Sequence, residues 1–334
     1  MKNLLHYLFK YKTLTKQEAE EVLIHITKGK YNEAQIIAFL TVFQMRSITV
    51  EELTGFRNAL LKMAIPVDLS DYNCIDLCGT GGDTKNTFNI STLASFIVAG
   101  AGEMVCKHGN YSVSSFCGSS NVIEYLGYEF KNTEEELKTD LERSGICFLH
   151  APRFNPAMKN VASIRKDLGI RTFFNMLGPL VNPAQPKNQI VGVYDLELAR
   201  LYQYLLQETN SNYTIIHNID GYDEIALTDK VKLISNKREE ILSPHDLGFK
   251  TLTPQELYGG QSVEEAAKLF VNILKGKGSE AQNTVCIANA GIAIHCMHPE
   301  LSRDDAMDRA RVSLESGKAL ASLKRLLKTE VQYL

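Results

Sequence analysis

An apolar run from Cys74 to Cys78 stops at Gly79-Thr80-Gly81-Gly82-Asp83, three glycines in four residues. A segment of helical character then opens at Asn89-Ile90-Ser91-Thr92. A second apolar run, Met104 to Cys106, ends at Lys107-His108-Gly109-Asn110, and Gly118-Ser119 closes the stretch. Two strands joined by a helix run the same way, so this order commits the chain to parallel pairing and to a sheet covered on both faces. Ligands in such sheets sit at the carboxyl ends of the strands, where Gly79 and Lys107 both fall. Glycine lets backbone approach a ligand and present N–H groups to it. A helix N-terminus carries spare donors and partial positive charge, which suits phosphate oxygens. The hydroxyls of Ser91 and Thr92 add donors there, and Lys107 adds a full charge. The spacing is neither G-x-G-x-x-G nor G-x-x-x-x-G-K-[ST]. Taken alone, the glycine loop reads equally well as a tight turn. Loop, helix start and lysine together point to a phosphorylated ligand.

The rest of the chain places this stretch in context. Thr15 with Glu18, Asn32, and Thr49 with Glu52 mark three helix starts between residues 13 and 64, and Pro66 ends that region. The second of these helices, with Ile36, Ile37, Phe39, Leu40, Val42 and Phe43, is apolar nearly all round and needs burial on more than one side. Its surplus face is expected to meet a second subunit. From Asn73 onward short apolar runs at 74–78, 104–106, 146–149 and 190–193 alternate with helical segments. Pro156–Gly169 and Asp195–Glu208 read as helices, Tyr213–His217 as a strand, and 231–235 with 238–242 as a hairpin. Ser262–Lys275, Ala281–Met297 and Ser302–Lys328 read as three closing helices. The expected fold class is α/β: a small all-helical N-terminal domain, residues 1–70, and a large domain, residues 71–334, with a mainly parallel central sheet flanked by helices.

Length and charge narrow the function. A chain of 334 residues buries a large core, and its net charge of −3 offers no general basic surface for nucleic acid. No stretch approaches the roughly 18 apolar residues of a membrane span. His6, Lys10 and Lys12 break up the first apolar run, so it lacks a signal-peptide core. The seven scattered cysteines, with no C-x-x-C pair, read as reduced cytoplasmic thiols.

Three polar groups stand out against bland readings. Asp223-Glu224 follows the Tyr213–His217 strand on a turn, where adjacent carboxylates are ordinarily solvated; the functional use of such a pair is Mg2+, which takes one or two carboxylates together with phosphate oxygens and water. Arg165 lies in a helical charge run that would by itself be a wet face. His108 reads as well as a structural histidine as a substrate-positioning one. His295-Cys296-Met297-His298 lacks an evident third metal ligand.

Gly-Thr-Gly-Gly-Asp at 79–83, Asn-x-Ser-Thr at 89–92 and Lys-His-Gly-Asn at 107–110 resemble the anthranilate phosphoribosyltransferase family. The likeness continues through Val161–Pro183 and Gly221–Glu224. It implies transfer of a phosphoribosyl group from 5-phosphoribosyl 1-diphosphate to anthranilate, in tryptophan biosynthesis, by a cytoplasmic homodimer joined through the helical domain. It implies donor binding by Gly79, Gly82, Asp83, Thr87, Asn89, Ile90, Ser91 and Thr92. It extends that set to Lys107, His108, Gly109, Asn110, Tyr111, Ser112, Val113, Ser114, Ser115 and Ser119. Anthranilate is expected at Gly79, His108, Asn110, Arg165, Gly178 and Pro179, with the Arg165 fork on its carboxylate. Mg2+ is expected at Ser91, Asp223 and Glu224. The resemblance also implies that residues about 160–185 return to the helical domain. No catalytic base is expected, because an aromatic amine is neutral near pH 7; His108 and Lys107 position substrate. Asn155 departs from the histidine that relatives often carry. A pyrimidine nucleoside phosphorylase shares this fold, but resembles Lys-x-Ser-Gly-Arg where this chain has Lys-His-Gly-Asn, and it needs no carboxylate pair. A non-catalytic nucleic-acid-binding relative calls for a basic groove that this chain lacks.

Overall fold

The computed structural model describes residues 1–111 and 117–328. Four helices lead the chain: α1 (Lys2–Leu8), α2 (Lys16–Thr27), α3 (Glu33–Met45) and α4 (Val50–Met63). Then come β1 (Cys74–Gly79), α5 (Ile90–Gly100), β2 (Met104–Gly109), α6 (Ser119–Tyr125), α7 (Glu134–Ser144) and β3 (Ile146–His150). Three short helices follow: α8 (Ala151–Phe154), α9 (Lys159–Leu168) and α10 (Phe174–Leu177). The chain continues with β4 (Asn188–Gly192), α11 (Leu196–Gln207), β5 (Asn212–Asn218), β6 (Val231–Ser235) and β7 (Glu239–Leu242). It closes with α12 (Val263–Leu274), α13 (Glu280–Met297), α14 (Arg303–Glu315) and α15 (Lys318–Leu327).

These elements form two compact units. One is Met1–Val67 with Ala151–Gln185, the other Asp68–His150 with the chain from Pro186 onward. The first unit is helical because its starts are well written: Thr15, Asn32 and Thr49 each close a full capping box with Glu18, Gln35 and Glu52, worth about 1 kcal/mol per cap. Its core is aromatic. Phe56 stacks on Phe173 with centroids 4.3 Å apart, and Phe39 and Phe43 meet both rings edge-on. Helix α3 leaves Ile37 and Met45 exposed.

The second unit is built on a seven-stranded sheet in the order β3-β2-β1-β4-β5-β6-β7. Its first five strands pair in parallel, and β6 and β7 join antiparallel. Helix α5 is buried on almost every side through Ile90, Leu93, Phe96 and Ile97 and packs on α13. An all-apolar helix of this kind is stable only in the middle of a core. Connections from β1 and β4 leave toward opposite edges of the sheet, so a crevice opens between their carboxyl ends.

Two details differ from the sequence reading. Lys2–Leu8 is helical, although its composition carries no cap signal. The single helix expected over Ser302–Lys328 is two, because Gly317 takes a left-handed φ of +76° and breaks the ladder. Asn89 stands at the start of α5 without capping it; its amide donates instead to the Cys117 carbonyl at 3.1 Å.

Candidate active site

The strand ends place the polar groups. Gly79 and Gly192 are register partners at the ends of β1 and β4. The turn after β5 lays Asp223 across both: a Cβ on Gly79 would run into the Asp223 carboxylate, and one on Gly192 into the Asp223 main chain. Glycine is therefore required at both strand ends to seat the acidic pair. Main-chain donors then fix the pair. Gly81 N–H donates to Asp223 Oδ2 at 2.7 Å, and Ser91 N–H at the start of α5 donates to Glu224 Oε1 at 2.8 Å. From the far side, Asn289 of α13 clasps the next residue, accepting from Ile225 N–H at 3.0 Å and donating to its carbonyl at 2.9 Å. The glycine loop, the helix start and the Asp223-Glu224 turn are thus one bonded unit. Gly82 takes a φ of +80°, which carries the loop to Asp83.

Electrostatics at this unit call for a cation. Burial, then repulsion from Asp83, pushes the Asp223 carboxyl up to about 7. Burial, then Asp223 and Asp83, holds Glu224 well above the ordinary carboxylate range, and burial raises Asp83 too. Carboxylate and hydroxyl oxygens, which Asp223, Glu224 and Ser91 carry, are hard donors of the kind magnesium prefers. Among the described residues no group of three His, Cys, Asp or Glu side chains is arranged to hold an ion by itself. The donor set fits an ion that completes its shell with phosphate oxygens and water.

Strands β1 and β2 part before their ends. Their ladder stops at Ile75↔Val105. Beyond it, side chains take over: buried Asp76 accepts from His108 N–H at 3.0 Å, and the buried Lys107 ammonium donates to the Leu77 carbonyl. Gly109 lies under Ser119, which would meet any added Cβ. The Asn110 carbonyl accepts from Ser120 N–H at 3.3 Å and Ser119 Oγ at 3.4 Å. Tyr111 N–H donates to Asn110 Oδ1 at 2.8 Å. These bonds bring Asn110 and Tyr111 to the start of α6. Thr87 bridges to Tyr258, Ile90 N–H is spent on the Phe88 carbonyl, and Thr92 is buried in α5. Ser112, Val113, Ser114 and Ser115 lie outside the described residues.

The remaining candidates belong to the first unit. Arg165, in the last turn of α9, is half-buried with its guanidinium carbon 5.1 Å from the Phe174 ring centroid, and burial lowers its pKa. Gly178 and Pro179 open a one-turn helix, and Pro179 is buried. Asn155 is buried, and neither amide atom has a hydrogen-bond partner among the described residues. In the second unit, His298 pairs with Glu103 at 3.0 Å and Glu300 at 3.2 Å. Sequence reasoning gave no role to Gly192, Asn289 or Asp76. Gly192 carries a weak signal, a glycine inside the apolar run 190–193. Asn289 carries none, being one polar residue in a buried helix.

Comparison with known proteins decides the family. A model of the glycosyl transferase family a/b domain matches residues 71–320, and one of that family's helical bundle domain matches residues 2–64. Anthranilate phosphoribosyltransferase of Flavobacterium psychrophilum is 58% identical over 326 residues, covering 98% of each chain. The chain belongs to the anthranilate phosphoribosyltransferase family. The Christiangramia forsetii member is 57% identical over 98% of this chain and 99% of its own. Among solved anthranilate phosphoribosyltransferases, that of Thermus thermophilus superposes with a TM-score of 0.90 at 30% identity, covering 97% of this chain and 98% of that one. The Saccharomyces cerevisiae member, in complex with PRPP and Mg, gives 0.87 at 27% identity over 96% and 94% of the two chains. The α/β architecture expected from the sequence is the fold of this family. No helix among the described residues is long and apolar enough to cross a membrane.

Proposed function

We propose that this chain transfers the phosphoribosyl group of 5-phosphoribosyl 1-diphosphate to the amine of anthranilate, releasing diphosphate, in tryptophan biosynthesis. The observation that carries this reading is the bonded unit of glycine loop, α5 start and acidic turn, in a chain of the anthranilate phosphoribosyltransferase family. The Gly79–Asp83 loop and the Asn89–Thr92 helix start receive the diphosphate. Lys107, Asn110 and Ser119 hold the rest of the donor, and Arg165 holds the anthranilate carboxylate in a bidentate fork. Gly178 and Pro179 supply an apolar wall for the aromatic ring.

Ser91, Asp223 and Glu224 would hold Mg2+, which supplies charge neutralisation to the departing diphosphate. The amine lone pair attacks the anomeric carbon as the bond to diphosphate breaks, and the amine proton is lost to solvent. Rate enhancement then rests on orientation and on fixed charge. The exposed apolar residues of α3, Ile37 and Met45, are assigned to a homodimer interface, and the enzyme works in the cytoplasm.

The test is loss of anthranilate fluorescence with purified protein, the donor and Mg2+. Loss that needs both substrates and stops with EDTA supports the reaction, acceptor and metal together; no loss under any of these conditions defeats the reading. Arg165→Ala should raise the anthranilate KM about tenfold or more, one charged bidentate contact, with the donor KM near wild type. A selective rise in the donor KM would remove Arg165 from the acceptor site.

A further inference from the structure

Two of the six non-glycine residues with left-handed φ among the described residues, Thr84 at +62° and Asn86 at +49°, flank Lys85. Asparagine tolerates this region; a β-branched threonine there is a real outlier. Such strain persists only where the surroundings over-determine it. The surroundings do so. Gly259 N–H donates to the Asn86 carbonyl at 3.0 Å, and Asn86 Nδ2 donates to the Gly260 carbonyl at 3.3 Å. Thr87 bridges to Tyr258, and a Cβ on Gly259 would strike the Thr87 main chain. On the other side Lys85 N–H donates to Asp83 Oδ1 at 3.1 Å, and Thr84 Oγ1 to the Asp83 carbonyl at 2.6 Å.

The result is a strained turn, pinned at both ends, that projects one side chain. Lys85 is exposed, yet its ammonium is held 4.7 Å from the centroid of the Tyr222 ring. Tyr222 immediately precedes Asp223-Glu224, and the Lys85 stem lies near Gly221, where a Cβ would come within 3.8 Å of it. A lysine that serves only solubility needs neither the strain nor the ring. Here both aim a cation at the turn that bears the carboxylate pair. The other ammonium, Lys107, is buried on the Leu77 carbonyl.

We propose that Lys85 is a donor-positioning residue whose ammonium takes a diphosphate oxygen of the phosphoribosyl donor. The assignment rests on the function proposed above. The Tyr222 ring holds the cation before the donor arrives, and the pinned turn limits the freedom lost on contact.

The test uses the whole chain with Mg2+ and three variants. Lys85→Met keeps the stem over the ring and removes the charge. Its donor KM should rise about tenfold, the size of one charge-assisted hydrogen bond, with the anthranilate KM and the thermal midpoint unchanged. Lys85→Arg should recover most of the loss. Thr84→Gly releases the strain, so the donor KM should rise while thermal stability holds or improves. A donor KM for Lys85→Met within twofold of wild type overturns the assignment. Equal rises in both KM values, or a fall in kcat alone, overturn it as well. Titration of inorganic diphosphate with Mg2+ reads Lys85 independently: Lys85→Met should bind about tenfold more weakly than wild type. If wild type fails to consume anthranilate, the proposed function falls, and the diphosphate titration still decides Lys85.

Discussion

Gly192 and Asp223 show how much of this site is written one residue at a time. Gly192→Ala forces a methyl group into the Asp223 main chain, a rigid neighbour that has to move. Overpacking of this kind costs about 1–3 kcal/mol, and here it also displaces the acidic pair. Urea unfolding should show that loss of stability, and turnover should fall at least tenfold; a variant with wild-type turnover would mean that the Asp223 turn is not needed where it stands. Asp223 also predicts a pH dependence. Its folded pKa is raised to about 7, first by burial and then by Asp83, so the protonated form is the one the fold favours. The stability this gives is complete below the ordinary carboxylate pKa of about 4 and is lost as pH rises through about 7. The thermal midpoint of metal-free protein should therefore fall between about pH 5 and pH 8, and Asp223→Asn should flatten the profile. A flat wild-type profile, or an unchanged slope in the variant, would contradict the assignment.

At the scale of elements, the sequence was most readable where a local rule decides the outcome. Thr15, Asn32, Thr49, Thr133 and Asp195 all cap helices as their side chains dictate. The five parallel strands fall within a few residues of the apolar runs, because a strand buried on both faces is largely apolar, whereas β7 is half charged and half exposed. The glycine loop and the carboxylate pair were legible as chemistry. The bonds joining them were not, since Gly81 and Asp223 are separated by 142 positions. Asn289 was invisible for the same reason: nothing nearby in the sequence says that its amide holds the Asp223-Glu224 turn. The split between α14 and α15 was missed because Gly317 sits in an otherwise helical pattern, and one glycine in a helix is tolerable until its φ turns positive. Gly317→Ala should cost about 1 kcal/mol in urea unfolding and leave turnover unchanged, because no side chain crowds that position. Stabilisation by alanine would mean that the two helices can run as one.

For the whole molecule, the parallel sheet brings together strand ends whose loops come from distant parts of the chain. Chemistry at such an edge is set by loops, while the strands supply a fixed frame. Three carboxylates, Asp83, Asp223 and Glu224, crowd that edge, and burial together with their mutual repulsion raises the pKa of the Asp223-Glu224 pair. The central claim is that this edge binds a diphosphate through a divalent ion held by Asp223 and Glu224. The most direct measurement is a calorimetric titration of the phosphoribosyl donor, without anthranilate, into wild type and into Asp223→Asn with Glu224→Gln, each with Mg2+ and with EDTA. The account predicts wild-type binding at least about tenfold tighter with Mg2+, the contribution of one charge-assisted contact or more. It predicts equally weak binding by the double variant under both conditions. Wild-type affinity that ignores Mg2+, or a double variant that keeps the full Mg2+ effect, would contradict it.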